Sequence, residues 1–179
     1  MVTVSDDSGN ETVVESVITV IDNAGPAVIG KDLVIRLDAS GQETVTADQL
    51  HESVSDNCSV ESVTISKSNF GCADLGENEV TLSVFDFAGN RTDEVVKVTV
   101  IDDTPPTLIT RSYTVGLNSL GRLELSINNV VDLICDSSGE NCSKDNCNVS
   151  YSLSRTQFDC NDIGTHTVIV TATDPAGNI

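Results

Sequence analysis

The chain has 179 residues, with nine Lys/Arg against 28 Asp/Glu and a net charge of −19. That balance excludes nucleic acid as a partner, because phosphate contacts need basic patches. Aromatics are 3% and Trp is absent, so a core must come from Val, Ile and Leu, and units this small often need staples.

Taken in order, residues 1–22 read as the closing hairpin of a preceding module, turning at Asp6-Asp7-Ser8-Gly9-Asn10. Ile21-Asp22-Asn23-Ala24-Gly25-Pro26 follows as a linker, since proline stops a strand and restricts the residue before it. Residues 23–102 then form one complete module. Leu33, Ile35 and Leu37 alternate. Asp56-Asn57-Cys58 marks a loop, and Phe70-Gly71-Cys72-Ala73-Asp74-Leu75-Gly76 follows. Val80, Leu82 and Val84 lead into Asp86-Phe87-Ala88-Gly89-Asn90, and Val96, Val98 and Val100 close the unit. Alternation with Val, Ile and Thr enrichment is the strand signal.

The landmarks then recur. Ile101-Asp102-Asp103-Thr104-Pro105-Pro106 repeats the linker at an offset of 80. Tyr113, Val115 and Leu117 copy the first alternating run. Asp145-Asn146-Cys147 returns at an offset of 89, and Phe158-Asp159-Cys160-Asn161-Asp162-Ile163-Gly164 at 88. Val168, Val170 and Ala172 lead into Asp174-Pro175-Ala176-Gly177-Asn178. The extra residues of the second copy carry Cys135 and Cys142. Residues 103–179 thus form a second module that stops where its last strand should start. The chain is expected to be a window on a longer array, out of phase with its modules.

A period this long signals an array of modules. Roughly seven short strands in about 80 residues predict an all-β fold of tandem antiparallel sandwiches of the immunoglobulin type. The alternative, a β-solenoid, has much shorter rungs.

Six cysteines fit a disulfide framework and an oxidising, extracellular compartment. The repeat suggests pairing like with like: Cys58–Cys72, Cys147–Cys160, and Cys135–Cys142 by remainder. No Cys-x-x-Cys pair occurs, which disfavours a thiolate metal site. Five Asn-x-Ser/Thr sequons, at Asn10, Asn57, Asn90, Asn141 and Asn148, carry little weight because Asn-rich turns generate them by chance.

In such a sandwich the linker and two loops meet at one end. Asp22, Asn23, Asp56, Asn57, Asp86 and Asn90 would then gather at the first joint. Asp102, Asp103, Asp145, Asn146, Asp174 and Asn178 would gather at the second. Calcium takes six to eight oxygen ligands of these kinds. The same residues are also ordinary turn formers that cap backbone groups, so both readings stand. Asp132, Asp136, Ser138 and Glu140 form a weaker candidate, because Gly139 is misplaced for an EF-hand loop. His51 and His166 occupy unrelated positions in the repeats and lack a nucleophile nearby. No enzyme is expected.

The combined run, from Asp-Asn-Cys through Phe-x-Cys-x-Asp-(Leu/Ile)-Gly and Asp-x-Ala-Gly-Asn to Val-x-Val-x-Asp-x-x-x-Pro, resembles the hyalin repeat, an immunoglobulin-like extracellular module linked to adhesion. Tyr151-Ser152-Leu153-Ser154-Arg155-Thr156-Gln157-Phe158-Asp159-Cys160 looks closer still to repeats of very large surface adhesins of Bacteroidota, including those of gliding motility. The hyalin repeat commonly carries another cysteine in its last strand; Thr92–Val100 has none. The resemblance implies a secreted, cell-surface filament or stalk whose partners are neighbouring repeats of the same chain. Its distal regions would meet surface polysaccharide or other cells, and this segment would not enter a membrane. An accessory module of a secreted enzyme and a ligand-binding receptor module are the alternatives.

Overall fold

The computed structural model describes residues 2–133 and 142–179. Among these the secondary structure is fourteen strands, one short helix and three 3-10 turns, so the protein is all-β. β1 (Val2–Ser5) and β2 (Glu11–Val14) make a hairpin exposed along its whole length. Residues 15–26 continue without regular structure, and Val17, Ile18, Val20 and Ile21 lie open to solvent.

The first repeat contributes β3 (Ala27–Gly30), β4 (Leu33–Arg36), β5 (Gln42–Thr44), β6 (His51–Ser55), β7 (Val60–Ile65), β8 (Asn69–Gly71), β9 (Gly76–Asp86) and β10 (Arg91–Ile101). Four of them form one sheet in the order β4-β10-β9-β7, and the rest pair as β3-β6 and β5-β8. The alternating residues of the sheet point one way. Ile35, Val80, Leu82, Val96, Val98 and Val100 bury against Phe70 of β8 and against Val45 and Leu50, which flank β5 and β6. Each apolar face is covered because strand side chains alternate with a period of two.

One pairing departs from the antiparallel expectation: β4 runs parallel to β10. β3 and β4 travel in one direction but pair with different neighbours. After β3 pairs with β6, Lys31 donates its N–H to Leu50, and the chain then crosses to β10, which runs the same way.

The second repeat reproduces these pairings at shifted numbers. β11 (Arg122–Glu124) pairs with β13 (Gln157–Asp159), as β5 does with β8. β12 (Ser150–Leu153) pairs with β14 (Val170–Thr173), in the register of β7 with β9. The bridges Thr107↔Lys144 and Thr110↔Val131 stand where β3 meets β6. The one helix, α1 (Ile127–Val130), replaces the 3-10 turn Ala47–Gln49, and both begin with a capping box. In sequence, the inserted residues fall between Val131 and Lys144, the two residues that make these bridges.

Tyr113–Leu117 and Val168, expected to be strands, pair with nothing regular. The reason lies in the sheet. In the first repeat β10 lies between β4 and β9 and hydrogen-bonds both. Among the described residues no strand takes that place beside β14. Without it, only the four residues of β14 that meet β12 satisfy a ladder.

Candidate metal centres and the joint between repeats

β10 and β4 run toward the second repeat, so the Asp38–Gly41 turn and Cys72 lie at that end of the first. β7 begins at the opposite end, beside Asp86. There the linker, the loop before β7 and the turn after β9 converge. Carboxylate oxygens of Asp22, Asp56 and Asp86 all lie within 4.8 Å of one another. Asp102, Asp145 and Asp174 form the same triad at the second joint, again within 4.8 Å. Asp86, Asp102 and Asp174 are buried, and the other three are half-buried.

In each triad some carboxylate oxygens hold the backbone and others hold nothing. Asp86 accepts from the Asn90 backbone N–H at 2.7 Å and from Asn90 Nδ2 at 2.7 Å. Asp174 does the same with Asn178, at 2.9 and 2.7 Å. Asp22 caps Ala24, Asp56 caps Cys58 and Ser59, Asp102 caps Thr104, and Asp145 caps Cys147. Their other oxygens, Asp22 Oδ2, Asp56 Oδ1, Asp102 Oδ2 and Asp145 Oδ1, are buried with no hydrogen-bond partner. Asn146 Oδ1 is in the same condition. Buried polar atoms are nearly always paired, and unpaired anionic ones are the most costly. Two carboxylates with buried, unpartnered oxygens beside a third carboxylate are a ready donor set for a hard cation.

Local hydrogen bonds favour the ionised form of one acid in each triad, Asp22 and Asp174. Asp22 is held below the usual carboxylate range by the Ala24 N–H, then by Cys58 and Asn57. At Asp174 burial pushes upward, but donors from Asn178, Gly177 and Ala176 outweigh it and the net shift is downward. The acidic neighbourhood raises the Cys58 thiol, chiefly through Asp22.

The remaining residues of the predicted sets sit around the triads. Asn90 Nδ2 donates to the linker carbonyls of Asp22 and Ala24, and Asn178 Nδ2 to those of Asp102 and Thr104. Both amides therefore strap the linker to the turn. Asn57 donates to Asp22 Oδ1 at 3.2 Å. Asn146 donates to Asp102 Oδ1 at 3.1 Å and across the joint to the Asp38 carbonyl at 3.2 Å. Asn23 is exposed, outside its cluster. Asp103 also faces away, in an exposed ion pair with Arg36 at 2.8 Å. In the insertion, Asp132 pairs with Arg111 at 3.1 Å, while Asp136, Ser138 and Glu140 lie outside the described residues. His51 faces Asp48, and His166 rests against Phe158 and the Asp162 carbonyl.

The disulfides correct the sequence expectation. Cys72 is bonded to Cys147, with Cα atoms 5.6 Å apart, and Cys58 and Cys160 are free and exposed. Neither Cys58–Cys72 nor Cys147–Cys160 forms. Cys58 precedes β7 at one end of its repeat, and Cys72 follows β8 at the other. Six residues of extended strand span about 20 Å, far beyond the reach of a cystine. The end-to-end arrangement instead brings the far end of the first repeat to the near end of the second. Cys142 is half of a cystine, and its expected partner Cys135 lies outside the described residues.

Sequence reasoning missed this bridge and the fit beneath it. The available signal was strand direction: like cysteines in a repeat lie at opposite ends whenever an odd number of spanning strands separates them. It also missed Gly41, whose role depends on contact with the next repeat.

No helix among the described residues is long and apolar enough to cross a membrane. The chain matches no protein-family model and no curated protein sequence.

Proposed function

We propose that this chain is a segment of a tandem array of immunoglobulin-type β-sandwiches, a stalk of an extracellular surface adhesin of the hyalin-repeat kind, stiffened by calcium at its joints. The observation that carries the reading is Asp102. It sits in the linker, is 5% exposed, leaves Oδ2 without a hydrogen-bond partner, and offers a carboxylate oxygen within 4.8 Å of those of Asp145 and Asp174. Three such anions repel one another at short range, and a divalent cation turns that repulsion into attraction.

Each triad draws one ligand from the linker and two from the loops of the repeat that follows. A cation there fixes the direction in which one repeat leaves another. The recurrence of the triad at both linkers favours a repeated joint over a single binding site. The cystine Cys72–Cys147 spans the second joint and supports an oxidising compartment. The net charge of −19 keeps a long, strand-rich filament from associating edge to edge. The sequence resemblance supplies adhesion and the cell surface.

Small-angle scattering of the oxidised chain in calcium and then in chelator tests this reading. The expected result is a longer, narrower distribution of lengths with calcium, together with a higher melting temperature. Ligands that bind only the docked arrangement stabilise it by mass action. Identical curves in both buffers would remove calcium from the account.

A further inference from the structure

Three consecutive residues at the second joint do three different jobs. Asp145 belongs to the carboxylate triad, Asn146 reaches across to the first repeat, and Cys147 carries the cystine to Cys72. Asp145 faces both ways. Its Oδ2 accepts the Cys147 backbone N–H at 3.0 Å, while its Oδ1 is buried without a partner. Asn146 Nδ2 holds Asp102 Oδ1 at 3.1 Å and the Asp38 carbonyl at 3.2 Å. The Asn146 carbonyl lies 3.7 Å from Cys72 Sγ. No loop of any length separates the triad from the disulfide.

The two features also fasten the same pair of repeats. Asp102 follows directly on β10 of the first repeat, while Asp145 and Asp174 belong to the second. Cys72 belongs to the first repeat and Cys147 to the second. A cation in the triad and the cystine are thus two fastenings across one gap. Asp102 marks the triad as more than a patch of acid, because it is 5% exposed and its Oδ2 has no partner.

We propose that cation binding at Asp102, Asp145 and Asp174 is thermodynamically linked to the Cys72–Cys147 disulfide: the cystine tightens the cation site, and the bound cation makes the cystine harder to reduce. This deepens the calcium reading of the joint, rests on it, and adds redox control of that site.

The sign follows from the geometry. Without a cation the carboxylates repel one another, and a swing of the Asp145–Cys147 loop away from Asp102 relieves them. The cystine forbids that swing. It holds the ligands in place before the cation arrives, and such preorganisation raises affinity. In the other direction, a cation that keeps Asp145 against Asp102 keeps the two cysteine sulfurs close after the S–S bond is cut. Their effective concentration rises, which favours closure. Linkage makes the two factors equal. A coupling of about tenfold, within the usual range, lowers the reduction potential by about 30 mV.

The reductant is a small thiol such as glutathione. Its thiolate attacks one cystine sulfur, the S–S bond breaks, and a mixed disulfide and one cysteine thiolate result. A second glutathione thiolate attacks the glutathione sulfur of the mixed disulfide and releases the other cysteine. Two glutathione thiols give up two electrons and two protons to become one disulfide, and the cystine becomes two thiols. The cation keeps its oxidation state throughout.

Two measurements on the full chain test the linkage. Calorimetric titration of calcium compares the wild type with C72S/C147S. The second site should weaken by about tenfold or more in the variant, while the first, beside a Cys58 that is free in both proteins, should keep its affinity. The wild type is then equilibrated in glutathione buffers with calcium and with chelator, and the Cys72–Cys147 fraction is read by peptide mapping. This arm needs no cysteine substitution, so it decides the matter if the double variant fails to fold. Calcium should shift the equilibrium constant toward the cystine by a like factor. Asp102→Asn should remove that shift, and Asp22→Asn should leave it intact. A disulfide acting only as a tether would respond to neither. Two filled calcium sites with an equilibrium constant indifferent to calcium, or a shift that survives D102N, would overturn the proposal and leave calcium at the joints. Absence of calcium binding at both joints would remove the proposal together with the calcium reading.

Discussion

Gly41 lies so close to Asn146 that a β-carbon at position 41 would sit 2.4 Å from the Asn146 carbonyl oxygen. The two residues belong to different repeats, and their approach places Cys72 beside Cys147. Gly41→Ala should therefore loosen the joint without disturbing either core. Its φ of +72° alone costs a β-carbon about 1–2 kcal/mol, and the clash forces the repeats apart. The expected outcome is a broader scattering envelope and faster reduction of Cys72–Cys147 by a mild thiol. The Gly121→Ala variant, whose β-carbon would meet the Cys160 sulfur at 2.7 Å rather than a backbone carbonyl, should show local strain.

Removing the cystine tests the joint from the other side. Cys72 and Cys147 are 75 residues apart in sequence, and a closed loop of that length contributes about 4 kcal/mol in the chain-entropy model. The double variant C72S/C147S should melt lower, with interdomain flexibility rising more than core exposure. Hydrogen exchange checks this: protection at β9 and β10 should hold while that around Asp38–Gly41 and Asn146 falls.

Much of the fold was legible because Val, Ile and Leu at alternate positions leave little choice of period. The triads were legible too, since the linker and both loops carry aspartate in each copy. The cystine was not. Pairing like with like ignores which end of its repeat a loop occupies, and Cys58 and Cys72 differ in just that respect. The roles of Asn90 and Asn178 were hidden for a related reason. An amide is equally a ligand and a donor, and only the position of the Asp22 and Asp102 carbonyls decides that it donates. Tyr113–Leu117 reads as a strand, but an alternating run becomes one only when a neighbour completes its ladder.

A salt bridge recurs beneath the same turn in both repeats. Lys67 pairs with Asp74, and Arg155 with Asp162, each cation also lying over a phenylalanine, Phe70 or Phe158. The Lys67 ammonium, followed by the Gly71 N–H, holds the Asp74 carboxyl below the usual carboxylate range. A depressed folded-state pKa contributes stability above the unfolded value of about 3.9, lost as pH falls through the folded one. Asp74→Asn should lower stability at pH 7 by about 0.5–1 kcal/mol, since the pair is partly exposed and screened. The difference from wild type should vanish in acid, as followed by urea melts from pH 6 to pH 2.

Direct measurement of the cation decides the central claim. Calorimetric titration of calcium into the oxidised chain should show two sites. Asp22→Asn and Asp102→Asn each keep the capping acceptor but remove one of three charges, and each should weaken its own site by about tenfold or more, as ligand charge sets calcium affinity. Two sites lost one at a time, at the first and second joints respectively, is the predicted result. An absence of binding heat at millimolar calcium, with melting indifferent to chelator and to both substitutions, would contradict the account and leave the triads as turns that cap the backbone.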